Sequence, residues 1–90
     1  MIVGNKLVDL QTYKNRQVII NFYEDEALKD RIGFHFDQVK VEQDLLIFTK
    51  EGTILYELNF SNIDTFRKMT NFPNYFTLSN ELETIEVYFP

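Results

Sequence analysis

Apolar side chains in this chain recur mainly at every second position, and that spacing constrains its fold more than any other feature. A period of two is the period of a pleated strand, whose successive side chains point to opposite faces. The pattern predicts strands over Lys6 to Tyr13 and Gln17 to Tyr23, joined at Lys14-Asn15-Arg16 as an antiparallel hairpin. Phe34 and Phe36 alternate with His35, but Val39 and Val41 fall on the other parity. A one-residue slip inverts the faces of a strand, so a bulge or bend is expected near Asp37-Gln38. Leu45 to Thr49 and Thr53 to Phe60 flank Lys50-Glu51-Gly52, where Gly52 suits a left-handed turn. With a turn at Asp44, residues Gln38 to Phe60 read as a three-stranded meander. Tyr75 to Leu78 and Thr84 to Phe89 are the last predicted strands, linked across Ser79-Asn80-Glu81.

Two segments read as helical. Glu24 to Arg31 leads with acids and ends with bases, with Asp25 and Lys29 four apart, which allows a helical turn near 24–31. Ser61 followed by Asp64 resembles an N-cap with an acidic partner, and Ile63, Phe66 and Met69 form a stripe ahead of Pro73. These features predict one short helix near 61–70. The expected class is therefore α+β, mostly β. The architecture is a curled antiparallel sheet, or a partly open barrel, of about six or seven strands. A more open sheet completed by dimerisation is the second expectation.

The 90 residues make one domain, 1–90. Nine Phe and five Tyr supply enough ring surface for a small core without disulfides, and the chain has no Cys. No apolar run is long enough to span a membrane, and the N-terminus lacks a basic region followed by an apolar stretch. A complete, cytoplasmic product that avoids membranes is the expectation.

The net charge is −5 and unevenly spread. Residues 32–66 carry Asp37, Glu42, Asp44, Glu51, Glu57 and Asp64 against Lys40 and Lys50, and beyond Lys68 there is no base at all. Binding a nucleic-acid backbone needs clustered Lys and Arg, so direct binding of that kind is not expected. An acidic protein can instead meet a basic partner.

Residues with reactive chemistry are scarce. His35 is the only histidine, has no Cys to activate, and reads most plainly as a surface residue of a strand. Glu24-Asp25-Glu26 lacks the alternating ligands, Gly and distal Glu of a calcium loop. Gly4, Gly33 and Gly52 are isolated, and Ser61 has no nucleophile-elbow glycines. No catalytic, cofactor-binding or metal-ligating residues are assigned, no cofactor is expected, and the chain is read as a non-enzyme.

The segment Asn71-Phe72-Pro73-Asn74-Tyr75-Phe76 concentrates aromatics at a proline bend. Aromatic clusters that cannot all turn inward anchor protein interfaces. The candidate interaction surface is Phe72, Tyr75, Phe76 and Tyr88 with Glu81, Glu83 and Glu86. Tyr13, Tyr23 and Tyr56 raise the same question from their own strands. The leading expectation is a non-enzymatic interaction, accessory or inhibitory module of a bacterial or phage system. Its partner would be a protein, with a homodimer as another assembly. The alternatives are an acidic nucleic-acid mimic filling a basic groove and a small-ligand-binding β-barrel.

The cadence from Val39 to Phe66 is similar to small bacterial pleckstrin-homology-like domains: Leu46-Ile47-Phe48, a turn at Glu51-Gly52, Ile54 to Leu58, then Asn62-Ile63-Asp64. The stretch covers under a third of the chain. That family closes with a C-terminal helix, whereas this chain ends in a strand pattern, and no function is carried over.

Overall fold

A computed structural model describes residues 7–90. A 3₁₀ turn, Val8–Thr12, leads into seven strands: β1 Lys14–Glu24, β2 Ala27–Glu42, β3 Leu45–Lys50, β4 Thr53–Asn59, β5 Thr65–Lys68, β6 Tyr75–Ser79 and β7 Glu83–Tyr88. All seven belong to one antiparallel sheet in the order β4-β3-β2-β1-β7-β6-β5. Two meanders, β1 to β4 and β5 to β7, are thus joined along β1 and β7.

The connection from β4 to β5 forces this sheet to curl. Six residue steps separate Asn59 from Thr65. They span at most about 22 Å, whereas the edge strands of a flat seven-stranded sheet lie about 29 Å apart. Phe60 and Ile63 of this bridge are buried, so it runs across the concave side rather than around it. The sheet curls without closing into a barrel. The length of β2 makes the same point. Its 16 residues would reach about 50 Å if straight, but the longest dimension of the molecule is 36 Å.

The expected change of parity in β2 is present: Phe36 and Val39, three apart, are both buried on the concave side. It falls where β2 leaves its pairing with β1 and takes up β3, at Gln38. β3 covers β2 only from Gln38 to Glu42, so the stretch of β2 before it is paired on one side alone.

The core fills the concave side. Val18 and Ile20 of β1, Phe36 and Val39 of β2, Leu46 and Phe48 of β3, and Val87 of β7 all point into it. Phe89 binds it together, stacking on Tyr13 at 4.0 Å and meeting Phe36 and Phe76 edge-on. Such ring pairs add about 0.5–1.5 kcal/mol each beyond burial. Leu7 and Leu10 close one end, and the Gln11 Oε1 accepts the Val41 backbone N–H at 2.8 Å.

Four sequence expectations need correction. The expected first strand, 6–13, is the 3₁₀ turn over its described part, and Lys14-Asn15-Arg16 belongs to β1 instead of a hairpin turn. Leu7 and Leu10, three apart, are what drive the turn onto the core. The helical turn near 24–31 is a β-hairpin: Asp25 and Glu26 are both left-handed (φ 50° and 66°) and β2 starts at Ala27. Two successive positive φ values match the right-handed twist of the flanking strands. The helix near 61–70 is the bridge followed by β5, whose residues pair with β6 from Thr65↔Ser79 to Lys68↔Phe76. The mostly β antiparallel sheet stands, while its helical component is limited to the 3₁₀ turn.

Candidate aromatic face of the sheet

The convex side of β1, β7 and β6 carries a second aromatic group, opposite the core. The register sets it out in rows: Ile19↔Tyr88, Asn21↔Glu86 and Tyr23↔Thr84 between β1 and β7, then Tyr75↔Tyr88 and Thr77↔Glu86 between β6 and β7. Directly opposed residues of antiparallel strands share a face. These side chains therefore stand together while Ile20, Phe22, Ile85 and Val87 point the other way.

Three rings line up across this face. Tyr75 and Tyr88 stack nearly parallel with centroids 5.2 Å apart, and Phe72 tilts against Tyr75 at 5.7 Å. The loop before β6 holds Phe72 outside. The Met69 N–H bonds the Tyr75 carbonyl at 2.9 Å, the Phe89 N–H bonds the Asn74 carbonyl at 3.0 Å, and Asn74 is left-handed. Phe72 is 56% exposed as a result.

Glu86 is the polar centre. The Asn21 Nδ2 donates to its Oε1 at 3.1 Å, and the hydroxyls of Tyr23 and Tyr75 interact with the same carboxylate. Burial, with the hydrogen bond and negative charge of Glu86 next, pushes the Tyr75 phenol up to about 12. Tyr23 is raised by the same causes, opposed by the positive charge of Arg31. Asn21 is 7% exposed, and its Oδ1 has no hydrogen-bond partner. A carboxylate only accepts, so it fixes the amide with Nδ2 toward Glu86 and turns Oδ1 away from it.

The sequence-predicted surface divides. Phe72, Tyr75, Tyr88 and Glu86 come together on this face. Phe76 does not: it alternates to the concave side, is buried, and packs on Phe66, Phe89 and Tyr13. Glu81 and Glu83 stand at the β6–β7 turn, beside Asp25 and Glu26 of the β1–β2 turn, to which the Asp25 N–H is bonded through the Leu82 carbonyl at 3.1 Å. This acidic end adjoins the aromatic face at Tyr23 and Thr84.

Asn21 and Ile19 escaped the sequence reading. Asn21 interrupts the run Val18 to Phe22, and a polar residue inside an apolar strand was the available signal. His35 is exposed on β2. Among the described residues no three His, Asp or Glu side chains converge on one point, and no helix is long and apolar enough to cross a membrane.

The fold and this face define a curled antiparallel sheet with one side packed and the other presenting rings around a carboxylate. Comparison with protein-family models, with curated proteins and with solved structures finds no match for the chain, so the cadence of Val39 to Phe66 leads to no family.

Proposed function

We propose that this protein is a non-enzymatic interaction module whose convex face docks a protein partner. One observation carries the reading: a row of rings, Phe72, Tyr75 and Tyr88, lies on the side of the sheet away from the core. Tyr and its neighbours supply large contact area at little cost in side-chain freedom, and such residues dominate binding energy at interfaces. The concave side is filled by Phe36, Phe48, Phe60 and Phe89, which favours this reading over a ligand-holding barrel. Acids at the β1–β2 and β6–β7 turns, with a net charge of −5, favour a partner of opposite charge. Asp37 and Glu51 are held together elsewhere, by the Glu51 N–H on Asp37 Oδ2 at 2.8 Å, rather than extending this acidic end into the long row that a nucleic-acid mimic needs.

Site-specific photo-crosslinking tests the reading. A benzophenone side chain at position 72 is expected to capture a protein partner that the same group at position 54, exposed on β4, does not. Loss of that product in a Tyr75→Ser/Tyr88→Ser variant with an unchanged circular dichroism spectrum is the expected companion result. Equal labelling from both positions would remove the assignment of this face.

A further inference from the structure

We propose that the convex face between Tyr23, Tyr75 and Tyr88 receives an arginine side chain carried by a basic protein partner. The inference rests on the reading that this face meets a protein, and it names the chemistry of the contact. Three observations carry it. First, Asn21, only 7% exposed, donates its Nδ2 to Glu86 Oε1 at 3.1 Å and so holds the carboxylate in place from beneath the face. Second, Glu86 is half-buried, and the donors around it, Asn21, Tyr23 and Tyr75, are all neutral. Its charge is shared among weak donors where a cation would bind it more strongly. Third, parallel rings at 5.2 Å border the carboxylate and offer π faces to a flat cation.

Guanidinium fits this set better than ammonium. It is planar, stacks on rings, and offers several N–H donors in a fixed fork, so one group can grip the Glu86 carboxylate while lying against the tyrosine rings. The chain's own Arg31 does not fill the role. It stands opposite Asn21 in the register and lowers the Tyr23 pKa, and the donor on Glu86 Oε1 is Asn21 rather than this guanidinium. The acidic turns beside the face, with Glu83 next to Thr84, attract the same partner charge. A phosphate-bearing ligand is disfavoured by the central carboxylate.

The test is a titration of the full, isotope-labelled chain with end-blocked Gly-Arg-Gly, followed by NMR. Parallel titrations use Gly-Lys-Gly, Gly-citrulline-Gly and uridine monophosphate. The arginine peptide is expected to shift the Asn21 side-chain amide and the Tyr23, Tyr75 and Tyr88 ring signals, with a Kd of about 1–10 mM for one isolated side chain. Citrulline, which keeps the shape and loses the charge, is expected to bind at least about tenfold more weakly. Glu86→Gln should weaken the arginine peptide by a similar factor. Asn21→Leu should weaken it about threefold and gives a second variant if Glu86→Gln fails to fold. Shifts confined to other faces, equal binding of citrulline, or preferential binding of the nucleotide would each overturn the proposal. So would concentration-dependent shifts at the same residues without any peptide, which would mean that a second copy covers the face. A partner crosslinked at position 72 whose binding is unaffected by Glu86→Gln would leave the docking face standing and remove the arginine.

Discussion

Asn21 sets the chemistry of the convex face, and its orphaned oxygen predicts a trade. Replacing it with Leu, close in volume, removes a buried acceptor that the isolated protein leaves unpaired. The same change removes the Nδ2 donor from Glu86, so denaturant unfolding is expected to show the Asn21→Leu variant within about 1 kcal/mol of the parent. Asp25 and Glu26 carry a related cost, since both occupy the left-handed region in a two-residue turn that favours Asn-Gly. The double substitution Asp25→Asn/Glu26→Gly is expected to raise stability by about 1 kcal/mol in the same measurement. Tyr75 supplies a pH signature. Its folded pKa, about 12, lies above the ordinary 10.0, so the native state holds the phenolic proton more tightly than the unfolded chain does. That contribution to stability is intact below pH 10 and is lost as pH rises through 12. Phenolate absorbance should show one tyrosine titrating with that late midpoint. In Glu86→Gln the midpoint should move down, because both the hydrogen bond and the negative charge of Glu86 raise the Tyr75 phenol.

Single residues were also where the sequence was most and least readable. Tyr75 and Tyr88 stood out by their ring content and by the proline bend nearby. Asn21 gave only a polar break in an apolar run, and nothing local tells that its oxygen would be left without a donor, because that depends on strands far apart in the chain.

Strand elements were legible in β3 and β4, where alternation met the turn at Glu51-Gly52, both left-handed, but the same signals misled over 6–13 and Lys14-Asn15-Arg16. The helix expected near 61–70 failed for a physical reason. Ile63, Phe66 and Met69 at spacings of three imitate a helical stripe, but Thr65 to Lys68 are claimed by the open edge of β6. The Asp64 N–H bonds the Ser79 carbonyl at 3.1 Å and extends that pairing. Non-local pairing outweighed a cap worth only about 1 kcal/mol. The segment 24–31 failed similarly, because acids first and bases later suit a solvated hairpin as well as a helix dipole. The C-terminal end of β7 predicts more than its position suggests. Phe89, fully packed and stacked on Tyr13, ties the last strand to the start of the chain. Phe89→Ala is expected to cost about 3–5 kcal/mol, read as a shift in the denaturation midpoint. Phe72→Ala, on the exposed loop, is expected to change stability by no more than about 0.5 kcal/mol.

At the scale of the whole molecule, the placement of β7 beside β1 makes both meanders parts of one sheet and one core. Alternation gave a mostly β chain, and short connections gave its antiparallel sense, although one expected strand, 6–13, is the 3₁₀ turn over its described part and β5 was read as helix. It could not give the order β4-β3-β2-β1-β7-β6-β5, because strand order depends on which edge the returning chain meets. The same arrangement leaves β2 longer than the strand beside it. Between Ala27 and Asp37, on the side β3 does not reach, a row of amide and carbonyl groups has no ladder to join. Lys29, Asp30 and Arg31 lie along that row, and Lys29 is the extra residue of a bulge against Phe22 and Tyr23. Charges and an irregular pleat deter an incoming strand. Lys29→Val/Arg31→Val should therefore convert a monodisperse solution into one that forms cross-β fibrils, visible as growing light scattering and thioflavin fluorescence. The length that lets β2 pair with β1 along one stretch and with β3 along another also obliges the protein to guard itself against templating its own aggregation.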